Sequence, residues 1–137
     1  MKLAVLAALT GLSAAACSTR PESDPDFQAS LATFFNDPSS LAYLGVQSDA
    51  EAICGQINAK NGLGAYTGFQ PFVFDRKEKK LLLYDNIGLD EKASDEFTAK
   101  AQACPNAHAI LMAAADRTGA AADALKRDLR GQGYNLQ

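Results

Sequence analysis

Beyond residue 24 the apolar positions change period twice along the chain, from helical spacing to alternation and back to helical spacing. Phe27, Leu31, Phe34 and Phe35 recur at i, i+4, i+7 and i+8 behind Asp24-Pro25, which predicts a first helix from Pro25 to about Asn36 with this stripe facing the core. Asp37-Pro38-Ser39-Ser40 repeats the start signal, and Leu41, Tyr43 and Leu44 predict a short second helix ending at Gly45. From Ala52 to Lys60 the pattern alternates, with Ile53, Gly55, Ile57 and Ala59 on one face and Cys54, Gln56, Asn58 and Lys60 on the other. That period belongs to a strand.

Asn61-Gly62 then signals a hairpin turn, which the glycines beyond it can lengthen. Phe69 to Asp75 and Lys80 to Tyr84 predict a second hairpin around the polar turn Arg76 to Lys79. Phe72 and Phe74 share a face opposite Val73, and the run Leu81-Leu82-Leu83-Tyr84 implies a strand covered at least partly on both faces. Pro71 lacks a ladder donor, which places its strand at an edge or at a bulge.

Helical spacing returns from Asp90 to Ala103, where Ala93, Phe97, Ala101 and Cys104 form a stripe, Glu96 and Lys100 stand as an i, i+4 pair, and Pro105 ends the helix. His108 to Ala115 is apolar throughout and is assigned to a helix by its length. Thr118 can cap a last helix from Gly119 to Arg130, stopped at Gly131, with Ala122, Leu125 and Leu129 buried. The predicted fold class is α+β: N-terminal helices, a small antiparallel sheet of about three strands, and C-terminal helices covering one sheet face.

The first residues follow different rules. Met1 to Cys17 sets a positive charge at Lys2 before an apolar run from Leu3 to Leu12, then small residues ending at a cysteine, the layout of a secretory signal. The run is shorter than the roughly 20 residues that span a bilayer. It resembles a bacterial lipoprotein signal, although Ala14 stands three before the cysteine where Leu is usual. The resemblance implies cleavage before Cys17, acyl chains on its sulfur and amine, and attachment to the membrane through that lipid. Ser18 rather than Asp after the cysteine favours the outer membrane of a diderm bacterium, facing the periplasm. Cleavage after Ala16 that releases a soluble periplasmic protein is the alternative. The expected organisation is therefore a signal peptide over 1–16, a tether with lipidated Cys17 over 17–24, and a single small domain over 25–137.

Charge and cysteine content narrow the field. With 13 basic and 16 acidic side chains the chain is net negative. Its densest basic stretch, Arg76 to Lys80, is interrupted by Glu78, so no nucleic-acid partner is expected. Lys126, Arg127 and Arg130 alternate with Asp123 and Asp128 along a solvated helix face. Of three cysteines, one assigned to lipid leaves Cys54 and Cys104, which are expected to pair in an oxidising compartment. The competing reading makes Cys104 a nucleophile with His108 as its base, with Pro105 disturbing the helical geometry that would join them.

His108 is the one histidine, which weakens protease triads and zinc sites alike. Phosphate-loop, dinucleotide, zincin and serine-hydrolase motifs are absent from the sequence, and no metal or cofactor is expected. The acidic pairs Asp90-Glu91 and Asp95-Glu96 suit helix starts. The stretch Cys54 to Phe72, CGQINAKNGLGAYTGFQPF, sets glycines among polar and aromatic groups. Asn58, Lys60, Asn61 and Tyr66 could hold a ligand there, with Phe69 or Tyr84 as a stacking face, although tight hairpins require the same composition.

This stretch, preceded by Asp37-Pro38-Ser39-Ser40, resembles a family of small bacterial exported proteins with the pattern CGxxNAKNxxGxYxGFxxF and an upstream Asp-Pro-Ser segment. The resemblance spans Asp37 to Phe72. It implies an exported domain built around this hairpin and assigns no catalytic or ligand role to any residue. The sequence thus leads to a lipid-anchored envelope domain that binds another envelope component, an envelope protein or cell-wall partner, without catalysis. A small-ligand binder or hydrolase acting on cell-wall sugars or peptides is the alternative.

Overall fold

The structure, a computed structural model, describes residues 23–88, 90–117 and 120–136. The signal segment, Cys17 and the proposed cap Thr118 lie outside the described residues. Helix α1 runs Pro25–Phe34. Asp24 starts it as expected, its carboxylate accepting from the amides of Asp26 and Phe27 at 3.0 Å each. Four strands follow, β1 (Ala42–Ser48), β2 (Ala52–Asn58), β3 (Gln70–Asp75) and β4 (Lys80–Leu83), paired antiparallel in chain order. Helices α2 (Glu91–Gln102), α3 (Ala107–Ala115) and α4 (Ala120–Gly131) complete the chain.

The alternation along β2 to β4 sorts the core into two layers. Ile53, Ile57, Phe72, Phe74, Leu81 and Leu83 face α1, where Phe27 stacks on Phe72 at 5.6 Å and meets Phe74 edge-on at 5.3 Å. Cys54 and Val73 point the other way, into a cluster with Phe97, Ile110, Leu111, Leu125 and Leu129 of the three C-terminal helices. These helices cover one sheet face, and α1 covers the other. The stripe of α1 is narrower than its spacing suggests: Phe27 and Leu31 are buried, whereas Phe34 is 48% exposed. Phe34 is the last residue of the helix, and the chain turns extended at Phe35, which leaves Phe34 at the cleft beyond the buried turns.

The main correction concerns residues 38–48. Only a 3₁₀ turn, Pro38–Ser40, precedes β1, and Leu41, Tyr43 and Leu44 belong to the strand side of it rather than to a helix. Gly45 has φ +60°, and the β1–β2 register shifts between Leu44 and Gln47, so Gly45 and Val46 stand opposite the single residue Gly55. A left-handed glycine marks a helix end and this kind of bulge equally well, and pairing with β2 decides between them. A Cβ on Gly55 would come within 2.7 Å of Val46 Cγ2 and 2.9 Å of its Cα. The bulge is further held by Asn106 Nδ2, which donates to the carbonyls of Gly45 (2.9 Å) and Cys54 (3.2 Å).

Pro71 sits in β3, an interior strand. It is tolerated there because the β3–β4 ladder begins one residue later, at Phe72↔Leu83. The last helix runs through Gly131, and its stop is Gly133 at φ +92°. There the amides of Gly133 and Tyr134 donate to the carbonyls of Arg130 and Leu129, a Schellman closure.

Cys54 and Cys104 form a disulfide, so Cys104 is no thiolate nucleophile and the proposed dyad with His108 does not exist. With its ends separated by 50 positions in the sequence, the cross-link stabilises the fold by about 4 kcal/mol in the chain-entropy account. The Glu96–Lys100 pair is also replaced. Lys100 bonds to Asp75 and, at 2.9 Å, to Glu78, while Glu96 takes Lys80 at 2.6 Å, so both residues of α2 clamp the β3–β4 hairpin instead of each other. Burial pushes the Asp75 carboxyl up, but the Lys100 ammonium and the turn amides outweigh it and leave it below the ordinary value. The same contacts push Lys100 well above its own.

Two outcomes follow from this packing. Gly55→Ala should lower the unfolding free energy by about 1–3 kcal/mol in urea titrations, because the new methyl meets the Val46 Cα as well as its side chain, and turning the side chain away leaves the backbone clash in place. Asp75, depressed in the folded state, contributes stability that is present above the ordinary carboxylate pKa and lost as pH falls through its folded value. Lys100, raised when folded, contributes stability that is lost only as pH rises above its ordinary range. Thermal melts of Asp75→Asn should accordingly lose less stability than wild type on acidification below about pH 4.

Candidate functional site

The connection from β2 to β3 is built by its own polar groups. Asn61 starts a tight turn in which its side-chain carbonyl accepts from the amides of Leu63 (2.9 Å) and Ala65 (3.1 Å). Its backbone amide donates to Ala65 at 2.8 Å. Lys60 and Tyr66 pair across the loop in an isolated bridge, with the Lys60 ammonium 5.3 Å from the Tyr66 ring centre. At the base, buried Asn58 accepts the Gly68 amide at 3.0 Å, and Gly68 adopts φ +110°, open to glycine at no steric cost.

This loop does not stand alone. The Tyr66 hydroxyl donates to the Ser40 carbonyl at 3.0 Å, tying the glycine-rich loop to the Asp37–Ser40 turn beyond α1. Between the two lies an open cleft of about 420 Å³, lined among others by Phe34, Asn36, Asp37, Ser40, Lys60 and Asn61. Leu63, at the tip of the loop, is 94% exposed, and Tyr66 is 51% exposed beside it. A hydrogen bond from the Ser39 hydroxyl, with lesser help from Ser40 and the Lys60 charge, holds the Asp37 carboxyl below its usual range despite some desolvation. The cleft therefore carries one carboxylate and one ammonium.

The sequence-predicted residues divide here. Lys60 and Asn61 line the cleft and Tyr66 flanks it, whereas Asn58 lies beneath the loop with its side-chain carbonyl already engaged. Tyr84 is buried edge-on against Phe97 at 5.1 Å, out of reach as a stacking face. Burial, followed by the Asp85 charge, raises its phenol pKa. The carbonyl of Phe69 accepts from Arg117 Nη1 at 2.8 Å, and Arg117 also grips Asp85. His108 is exposed and stacks on Tyr134, rings 5.7 Å apart. Sequence reasoning missed Phe34, Asn36, Asp37 and Ser40. Asp37 and Ser40 come to the cleft wall through the bond between the Tyr66 hydroxyl and the Ser40 carbonyl, a contact across 26 residues of chain that local pattern does not announce.

The fold and cleft define an α+β domain whose four-stranded antiparallel meander is faced on both sides by helices and presents an open cleft at one sheet end. No protein-family model, curated protein or solved structure matches the chain. Among the described residues no helix is long and apolar enough to cross a membrane, and no group of three or more His, Cys, Asp or Glu could hold a metal ion.

If Asn58 serves the loop and not a ligand, Asn58→Ala should cost about 1–2 kcal/mol of stability by leaving the Gly68 amide without its acceptor. Urea unfolding would show the loss; an unchanged midpoint would return Asn58 to the ligand-binding set.

Proposed function

We propose that the protein is a lipid-anchored envelope domain that presents this cleft to another envelope component and performs no chemistry of its own. The observation that carries the reading is that Phe34, Leu63 and Tyr66, three of the four large apolar side chains exposed among the described residues, belong to the two segments that wall the cleft, with Phe34 lining it directly. Isolated exposed apolar residues need no explanation, but a cluster rimmed by polar groups marks a contact surface.

The position of Asp24, at the start of α1, supports the same reading. Asp24 is held by Arg76, which also donates to the Asp49 carbonyl at 2.9 Å. This is the sheet end formed by the β1–β2 and β3–β4 turns. Helix α1 then descends about 15 Å along the sheet to Phe34 at the opposite end, where the cleft opens. On this reading a tether from a lipid-bearing Cys17 would join the domain at Asp24, at the pole away from the cleft. A domain so anchored would turn Leu63 away from the membrane, toward the partner.

A photo-crosslinking residue placed at position 63 of the full chain in living cells should yield discrete adducts, and one at position 77, on the tethered pole, should not. Adducts at 77 with none at 63 would overturn the reading. Intact mass of the same protein from solubilised membranes should show acyl chains on Cys17; an unmodified thiol would make it a soluble periplasmic protein.

A further inference from the structure

We infer that the component taken by this cleft is a neutral glycan, one or two sugar rings of which lie against Phe34. The inference rests on the binding reading above and names the ligand class of the same site.

Phe34 is the starting point. The other aromatic residue in helix α1, Phe27, is fully buried in the core, yet Phe34 lines the cleft with nearly half its surface open to solvent. The polar lining is of the kind that engages hydroxyl groups. Asn61 spends its side-chain carbonyl on the amides of Leu63 and Ala65, which leaves its NH₂ group as the part able to donate outward. Asn36 adds a second amide, and Asp37, kept ionised by Ser39, adds a strong acceptor. Lys60, steadied over the Tyr66 ring, adds a cationic donor. A sugar ring offers the matching pattern, an apolar C–H face for the phenyl ring and a rim of hydroxyls that both donate and accept.

Charge decides between this and other ligands. Asp37 and Lys60 lie close enough to attract one another. An anion or a cation would meet one favourable and one unfavourable charge. A neutral polyhydroxy ligand engages both without disturbing either. The volume lies within the range of about 300–1,000 Å³ that ligand sites occupy. A docking protein segment would be favoured by a deeper apolar pocket than this open cleft with polar walls.

The test uses the mature full chain, ¹⁵N-labelled, in a detergent without sugar headgroups, titrated with triacetylchitotriose, cellotriose and maltotriose. At least one trisaccharide is expected to shift the amide resonances of Asn61, Gly62 and Gly64 saturably in the millimolar range or below. Phe34→Ala should weaken that binding about tenfold, as truncation of a central aromatic contact does, and Phe34→Tyr should retain it. An unchanged melting temperature in both variants shows that the fold is intact. Absence of shifts with all three sugars, or shifts indifferent to Phe34→Ala, overturns the glycan assignment. If crosslinks at position 63 persist in that case, the partner is a protein and the binding reading stands; if they vanish too, both fall.

Discussion

Two adjacent residues of β2 hold the structure's layers in place. Cys54 points into the helical layer and is bonded covalently to the end of α2, while Gly55 beside it allows Val46 of the bulged β1 to approach closer than any Cβ would permit. Asn106, just past the disulfide, reaches back to both the bulge and β2. The edge strand, the central sheet and the α2–α3 corner therefore meet at one point. A small domain has little core to spare, and a cross-link that restricts its unfolded chain supplies a sizeable part of a margin that is only about 5–15 kcal/mol for typical proteins.

The same economy explains why the cleft lies where it does. At the end of the sheet formed by the β1–β2 and β3–β4 turns, ion pairs and short connections close the molecule: Arg76 with Asp24, Lys79 with Asp26, Lys100 with Asp75 and Glu78. At the other end the chain takes a long excursion from Asn58 to Gln70. That loop is stabilised by Asn61 and Tyr66 and not by burial, leaving Leu63 in solvent. Among the described residues, the bond from Tyr66 to Ser40 ties it to the remainder of the cleft wall. Local polar satisfaction at the rim thus gives a preformed surface without a second core.

Much of this was legible along the chain. Asp24 and Asp90 cap their helices, the alternation in β2 sorts Ile53 and Ile57 from Cys54, and Phe72 and Phe74 face away from Val73 as their spacing requires. The cysteine pairing was readable from parity and expected compartment. Less legible were features whose local signals have two meanings. Gly45 suits a helix end or a bulge, Glu96 and Lys100 suit each other or a hairpin two elements away, and a stripe containing Phe34 suits a core that the helix stops short of covering.

The sequence by itself determined the α+β class, the hydrophobic faces of the central strands and the glycine-rich loop, because period, caps and turn residues act over a few neighbouring positions. Only the tertiary structure decided that residues 42–48 pair as a strand, that Pro71 can occupy an interior strand, and that Asp37–Ser40 and Lys60–Asn61 border one cleft. Each of these depends on groups far apart in the chain, whose energies appear only when the two segments are brought together.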